Sequence, residues 1–295
     1  MYNINMSNIE IHRIEYVVEG TIIKRPSRHI KSPYVADVLI GGEEYLAHCP
    51  SLGLCGMIVP DSVVFMTKNQ TATKTDYKVH AVVVNEFEVK TVLKDSDEII
   101  VGCDPILSNK IGKKLFDKID LFKNYTEHKQ EYTYGNSRFD HYYKINDQDV
   151  FVEIKSVPTC CYCSLMSDTK ERKKIYNNRC YQCVDNVDEY KRCAVFPDGY
   201  KKKKDASVSE RANKHLEELT IIADNKKSRA CMCLFVMRSD CIEFQTAWQV
   251  DPRYNELFNK ALDVGVEITV HKFEWKFENG TLICYYCGMI PIKRH

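Results

Sequence analysis

The stretch from Ser137 to Val157, SRFDHYYKINDQDVFVEIKSV, constrains the chain most tightly. Val150, Phe151, Val152, Ile154 and Val157 form an apolar, β-branched run that reads as a strand. Side chains alternate along a strand, so Phe151, Glu153 and Lys155 share one face while Val152 and Ile154 take the other. Two charged groups on an otherwise apolar strand are costly to bury unless they meet partners or a metal. Asp140 precedes this strand behind a turn-like YGNSRF segment. If its segment is the neighbouring strand of a hairpin, an aspartate, a glutamate and a lysine converge at one end of a sheet. Such a set suits metal-assisted hydrolysis. The alternative is purely structural, with Asp140 capping a turn and Glu153 and Lys155 forming cross-strand ion pairs.

The rest of the chain must supply a scaffold for this hairpin. Its 295 residues suit two domains better than one. A net charge of +1 gives no global basic signature, so any nucleic-acid contact must come from local patches. The longest apolar run, ACMCLFVM from Ala230, falls far short of the roughly 20 residues of a membrane span. The start, MYNINMSNIEIHRIEY, lacks a basic region followed by an apolar stretch. The expectation is a soluble, intracellular protein with no signal peptide, no membrane segment and reduced cysteines.

Residues 1–90 read as all-β. Strand-like runs cover Arg13 to Ile23, Tyr34 to Ile40, Glu44 to His48, Ser62 to Thr67 and Lys78 to Phe87, with Gly41-Gly42 as a hairpin signal. Five short strands suit a small OB-type barrel, either a binder of single-stranded nucleic acid or a packing domain without ligand.

Residues 91–295 change texture. Asp104-Pro105 opens a helical pattern through Ile111, Leu115, Phe116, Ile119 and Phe122, with Asp104 as cap. Ser209 to Ala223 and Pro252 to Val264 read as two more helices, the last stopped by Gly265. RACMCLFVM reads as a buried strand and VEITVHKFEWKF as another. Helices alternating with strands indicate an α/β layer domain, so the chain as a whole is expected to be α+β or α/β.

A cysteine-rich insertion over residues 159–193 interrupts this domain. Cys160 and Cys163, then Cys180 and Cys183, form two CxxC knuckles at a spacing that matches a tetrahedral structural zinc site. Cys161 and Cys193 are alternative ligands, and chance pairing is the competing explanation in a chain with 14 cysteines. Cys284 and Cys287 repeat the CxxC spacing, while Cys231, Cys233 and Cys241 sit in apolar surroundings and read as small core residues. The runs KERKK from Lys170 and KKKK from Lys201 are either solvated loops or grips on a phosphate backbone.

AHCPSLG at Ala47, YGNSRFDHYY at Tyr134, VFVEIKSV at Val150, AVFPD at Ala194, KHLEEL at Lys214 and DPRYNELFNKALDVGVEI at Asp251 follow one another in a specific order. Together they resemble the sugar fermentation stimulation protein A (SfsA) family over roughly Glu19 to Thr269. The resemblance implies an N-terminal OB-fold domain and a restriction-endonuclease-like domain of the PD-(D/E)XK type. It implies DNA binding, with RNA as a second candidate, and metal-dependent phosphodiester cleavage. The competing expectation is a non-catalytic nucleic-acid-binding or regulatory protein that keeps the nuclease fold.

Carried over by motif, Asp140 and Glu153 would hold a divalent metal. Magnesium, or manganese in its place, suits hard carboxylate oxygens. Lys155 would orient or help to deprotonate the attacking water, and Glu131 is a further acidic candidate. Arg138, Lys214 and His215 are candidate nucleic-acid contacts, and His48 is a loop-shaping or DNA-contact candidate. The family's HCPNTG-like segment reads His48-Cys49-Pro50-Ser51-Leu52-Gly53 here, which weakens a ligand role for that loop. The cysteine insertion also lies where the family is usually short.

Overall fold

The structure is a computed structural model, and it describes residues 8–51, 57–71, 73–84, 99–161, 193–198 and 206–295. The chain divides into two compact units. The first comprises Met1–Pro105, Met237–Asp240 and Phe273–Cys287, and the second Ile106–Val236, Cys241–Lys272 and Gly288–His295.

In the first unit, β1 (Ile9–Ile14), β2 (Val17–Lys24), β3 (Val35–Ile40), β4 (Glu43–His48), β5 (Val63–Lys68), β6 (Tyr77–Val84) and β7 (Ile99–Gly102) follow in sequence. Strands β2 to β6 close an OB-like barrel in the order β4-β3-β2-β5-β6, with β6 returning parallel onto β4 at Ala47 and His48. Its core is Ile22, Val38, Ala47, Val64, Met66, Val79 and Val82, all fully buried. The Gly41-Gly42 turn joins β3 to β4 with both residues at positive φ. Strand β7 continues antiparallel along β6.

Arg13 to Ile23 is not one strand, as its composition suggests. Tyr16 adopts φ 57°, which separates β1 from β2. A bulky residue in the left-handed region interrupts strand geometry.

The second unit is built from α1 (Pro105–Lys118), β8 (Tyr125–Tyr134), β9 (Ser137–Ile145), β10 (Gln148–Val157), β11 (Cys160–Cys161), β12 (Cys193–Phe196), α2 (Glu210–Asp224), β13 (Arg229–Val236), β14 (Glu243–Thr246), α3 (Pro252–Val264), the first half of β15 (Glu267–Glu278) and β17 (Ile292–Lys293), while β16 (Thr281–Met289) lies mostly in the first. Strands β8, β9 and β10 form an antiparallel meander. Strand β13 then pairs parallel with β10, and Glu267–Lys272 of β15 pairs parallel with β13. Buried from Ala230 to Val236, β13 needs an unbroken apolar sequence, because helices cover both faces of the sheet. Strands β11, β12, β14 and β17 make a second, small sheet.

Helix α1 ends at Lys118, four residues short of the apolar pattern through Phe122, and Asp120 at φ 52° turns the chain away. Asp104 precedes its first residue, with its carboxylate on Lys78 Nζ at 2.6 Å and His80 Nδ1 at 3.2 Å. Leu107, Ile111, Leu115 and Phe116 turn inward. Gly112 permits close packing on β10, because a Cβ there would lie 2.3 Å from Ile154 Cδ1. Helix α2 is capped by Ser209, which accepts the Ala212 N–H, and it buries Leu216, Leu219 and Ile222. These meet Phe139, Phe151, Met232 and Leu234 in the main core.

Helix α3 begins at the Asp251 cap and ends at Gly265, whose φ of 106° suits glycine. Asp251 Oδ1 accepts the Tyr254 N–H at 3.1 Å, while Oδ2 accepts Ser207 Oγ at 2.5 Å and the Val208 N–H at 2.7 Å. Three donors lose their acceptor in Asp251→Ala. The variant is expected to lose about 2 kcal/mol in urea denaturation, more than Asp251→Asn, which keeps one cap oxygen.

Strands β15 and β16 are joined at Asn279-Gly280, and Phe273–Glu278 of β15 belongs to the first unit, where β1 pairs antiparallel with β16. Cys284 and Cys287 lie on β16. Three positions apart on a strand, they point to opposite faces and do not form a knuckle. Cys231, Cys233 and Cys241 are buried, and burial pushes the Cys233 thiol up to about 12. No helix of the described residues is long and apolar enough to cross a membrane.

Candidate active site

The Asn146-Asp147 turn, with both residues in the left-handed region, folds β9 back onto β10 and brings Asp140 beside Glu153. The ladder between the two strands ends at Val152↔His141. Immediately beyond that pair, the Asp140 carboxylate takes the place of a main-chain acceptor, with Oδ2 receiving the Ile154 N–H at 2.7 Å. Asp140 therefore sits where the strands part, and Glu153 faces α2.

Glu153 is 2% exposed. Its Oε1 pairs with Lys155 Nζ and with His215 Nδ1 on α2, and Lys155 Nζ lies 3.1 Å from the same His215 nitrogen. His215 Nδ1 donates to the carboxylate or accepts from the ammonium according to its tautomer. Among the described residues, Glu153 Oε2 is buried without a hydrogen-bond partner. Burial works to raise the Glu153 carboxyl, but Lys155 and His215 outweigh it and hold it below the usual range. Asp140 goes the other way. Burial first, and the Glu153 charge second, push it up to about 6 against the Ile154, Lys155 and Asn109 contacts. The pair thus has a surplus of negative charge and one unpartnered carboxylate oxygen. Hard oxygen donors in that condition fit a small divalent cation. Among the described residues, no three His, Cys, Asp or Glu side chains converge on one point.

An acid raised in the folded state weakens the fold once it ionises. For Asp140 that cost is absent below its unfolded value near 4, grows as pH rises, and is full above about 6. Relative to the unmodified chain, Asp140→Asn is therefore expected to gain stability as pH rises from about 4 to about 7, by on the order of 1 kcal/mol, on top of the fixed cost of turning its amide towards one of the two donors. Thermal melts of both chains in a chelator across that range check the difference.

The structure brings Glu131 towards the pair and His215 onto Glu153, and it engages Arg138 and Lys214 elsewhere. Glu131 adopts φ 52° in β8, and its Oε2 pairs with Arg138 Nε at 2.8 Å, so Arg138 is engaged by an acid. Lys214 Nζ donates to the Asn136 carbonyl at 2.6 Å, bracing the β8–β9 turn. His215, expected at nucleic acid, is buried against Glu153 instead. His48 lies in the barrel unit, its ring stacked on Tyr34 at 6.3 Å. Cys49 beside it is buried, which pushes its thiol up to about 11 and removes it as a nucleophile. Cys160 is buried on β11, whereas Cys163, Cys180, Cys183 and both basic runs lie outside the described residues.

Asn109 on α1 escaped the sequence reading. Its Nδ2 donates to Asp140 Oδ1 at 2.7 Å and reaches Glu131 Oε1 at 3.3 Å. The available signal was a polar residue beside the buried turn Leu107 to Gly112, and that pattern also fits an ordinary helix surface.

The family model described as "Sugar fermentation stimulation protein RE domain" matches residues 106–167 and 165–279, more than half of the chain. A "Sugar fermentation stimulation protein homolog" of Desulforamulus reducens is 29% identical over 269 residues, covering 90% of this chain and 89% of the relative. The homolog of Nostoc punctiforme is 26% identical over 294 residues, covering 96% and 98%. Among solved structures, that of Pyrococcus furiosus SfsA in complex with Ca2+ matches with a TM-score of 0.67 at 20% identity, over 97% of this chain and 99% of that one.

Proposed function

The chain belongs to the SfsA family, and from that premise we propose that it is a divalent-cation-dependent nuclease acting on DNA through Asp140, Glu153 and Lys155. The observation that carries this reading is the buried Asp140–Glu153 pair, with its unpartnered Glu153 Oε2 and its shared lysine. The solved structure of Pyrococcus furiosus SfsA is a complex with Ca2+, another hard cation, which is consistent with an oxygen-ligand site in this fold. Asp140 and Glu153 would hold the cation, and magnesium suits a site with two carboxylates and water in the remaining positions. When bound, such an ion polarises a phosphate oxygen and lowers the pKa of water.

The chain's own residues do the rest. His215 and Lys155 hold Glu153 ionised and fix its orientation. Lys155, 13% exposed, can turn its ammonium from Glu153 to a phosphate and offset the charge that develops in the transition state. Incubation of the purified chain with end-labelled single- and double-stranded DNA and RNA, with magnesium or chelator, tests the reading. Lys155→Ala is expected to cut about 100-fold more slowly. Binding without cutting would identify a nucleic-acid-binding protein that keeps the fold, and cutting unaffected by chelator would remove the assignment.

Independently of that reading, we propose from the CxxC spacing that the cysteine insertion holds a structural zinc through Cys160, Cys163, Cys180 and Cys183. Elemental analysis after reducing purification is expected to find about one zinc per chain, and less than about half an equivalent contradicts it.

A further inference from the structure

We infer that Asn109 is the positioning residue of the cation site, fixing the Asp140 carboxylate through its side-chain amide; this rests on the cation reading above. Asp140 is held at both oxygens, Oδ2 by the Ile154 N–H and Oδ1 by Asn109 Nδ2, each at 2.7 Å. Two donors on opposite oxygens prevent the carboxylate from rotating and leave a lone pair on each oxygen for another partner. The amide also reaches Glu131 Oε1, so one neutral group spans two acids whose charges repel. A carboxylate at this position would add a third negative charge. A lysine would itself take the place of the cation. An amide donates without doing either.

Helix packing makes the contact possible. Asparagine is short, so α1 must run close to the sheet for it to reach Asp140. Gly112, one turn further on, supplies that approach with its open side against Ile154, the residue whose N–H holds the other Asp140 oxygen. The buried row Leu107, Ile111 and Leu115 keeps the helix in place. Asn109 itself is half-buried, so it can be replaced without opening the core.

The test is calorimetric titration of the full chain with calcium chloride. Asn109→Ala is expected to weaken calcium binding 10- to 100-fold, the usual effect of losing a group that orients a ligand. Alanine is the stronger helix former, so α1 should persist, and the thermal midpoint in chelator should stay within a few degrees of the unmodified chain. Asn109→Leu, similar in size but without a donor, should behave alike. Asn109→Gln, which retains an amide, should bind calcium more tightly than Asn109→Ala. Unchanged calcium affinity in Asn109→Ala or Asn109→Leu, while Glu153→Gln abolishes binding, overturns the positioning role and leaves the cation site standing. A glutamine variant no better than the alanine variant also overturns the donor role. If the unmodified chain binds no calcium, the cation reading fails and takes this inference with it.

Discussion

Replacing Glu153 by glutamine is expected to abolish measurable divalent-cation binding and to slow DNA cleavage by on the order of 10³-fold. The substitution keeps the size of the side chain and removes its charge. In the native chain that charge does two things. It repels Asp140, and it pairs with Lys155 and His215. The glutamine amide removes both, so Asp140 should ionise more readily while the lysine loses its counter-charge. Breaking one side of a buried pair is costly, up to about 3 kcal/mol, although Lys155 retains some access to water. Circular dichroism at the assay temperature separates loss of chemistry from loss of fold. Cleavage by Glu153→Gln within about tenfold of the unmodified rate would place the chemistry elsewhere.

Phe116→Ala is expected to be the most damaging single substitution for stability in the α1 layer, costing about 3–5 kcal/mol in urea denaturation. Phe116 is 2% exposed and meets three rings edge-on: Phe122 at 5.0 Å, His141 at 5.7 Å and Phe235 at 6.1 Å. Truncation leaves a cavity between α1 and the sheet that these rigid neighbours cannot fill. The same helix carries Asn109, so calcium affinity should fall along with stability. A loss below about 1 kcal/mol would mean that α1 packs less closely than described.

Local chemistry explains which parts of this architecture were legible in the sequence. The barrel strands follow from alternating burial and from Gly41-Gly42, where the turn needs positive φ. Helices α2 and α3 follow from Ser209, Asp251 and Gly265, residues whose side chains or backbone freedom end a helix. The Asp140–Glu153 hairpin was visible because two charges interrupt an apolar strand. Less legible were features set by distant partners. The break at Tyr16 depends on a C-terminal strand pairing with β1, and Asn279-Gly280 was the unused signal for that hairpin. His215 resembles any polar helix residue until α2 packs on β10 and turns it to Glu153. Lys214, its neighbour, points to the Asn136 carbonyl instead, since adjacent helix positions diverge by about 100°. Asn109 depends on the close approach that Gly112 allows between α1 and Ile154, which no periodicity encodes.

The most direct test is the anomalous signal of manganese in crystals of the chain soaked in manganese chloride. One strong peak is expected within about 2.0–2.6 Å of carboxylate oxygens from both Asp140 and Glu153, absent in crystals of Glu153→Gln. A fully soaked crystal with no peak between those two side chains, or with a peak that persists in Glu153→Gln, would contradict it.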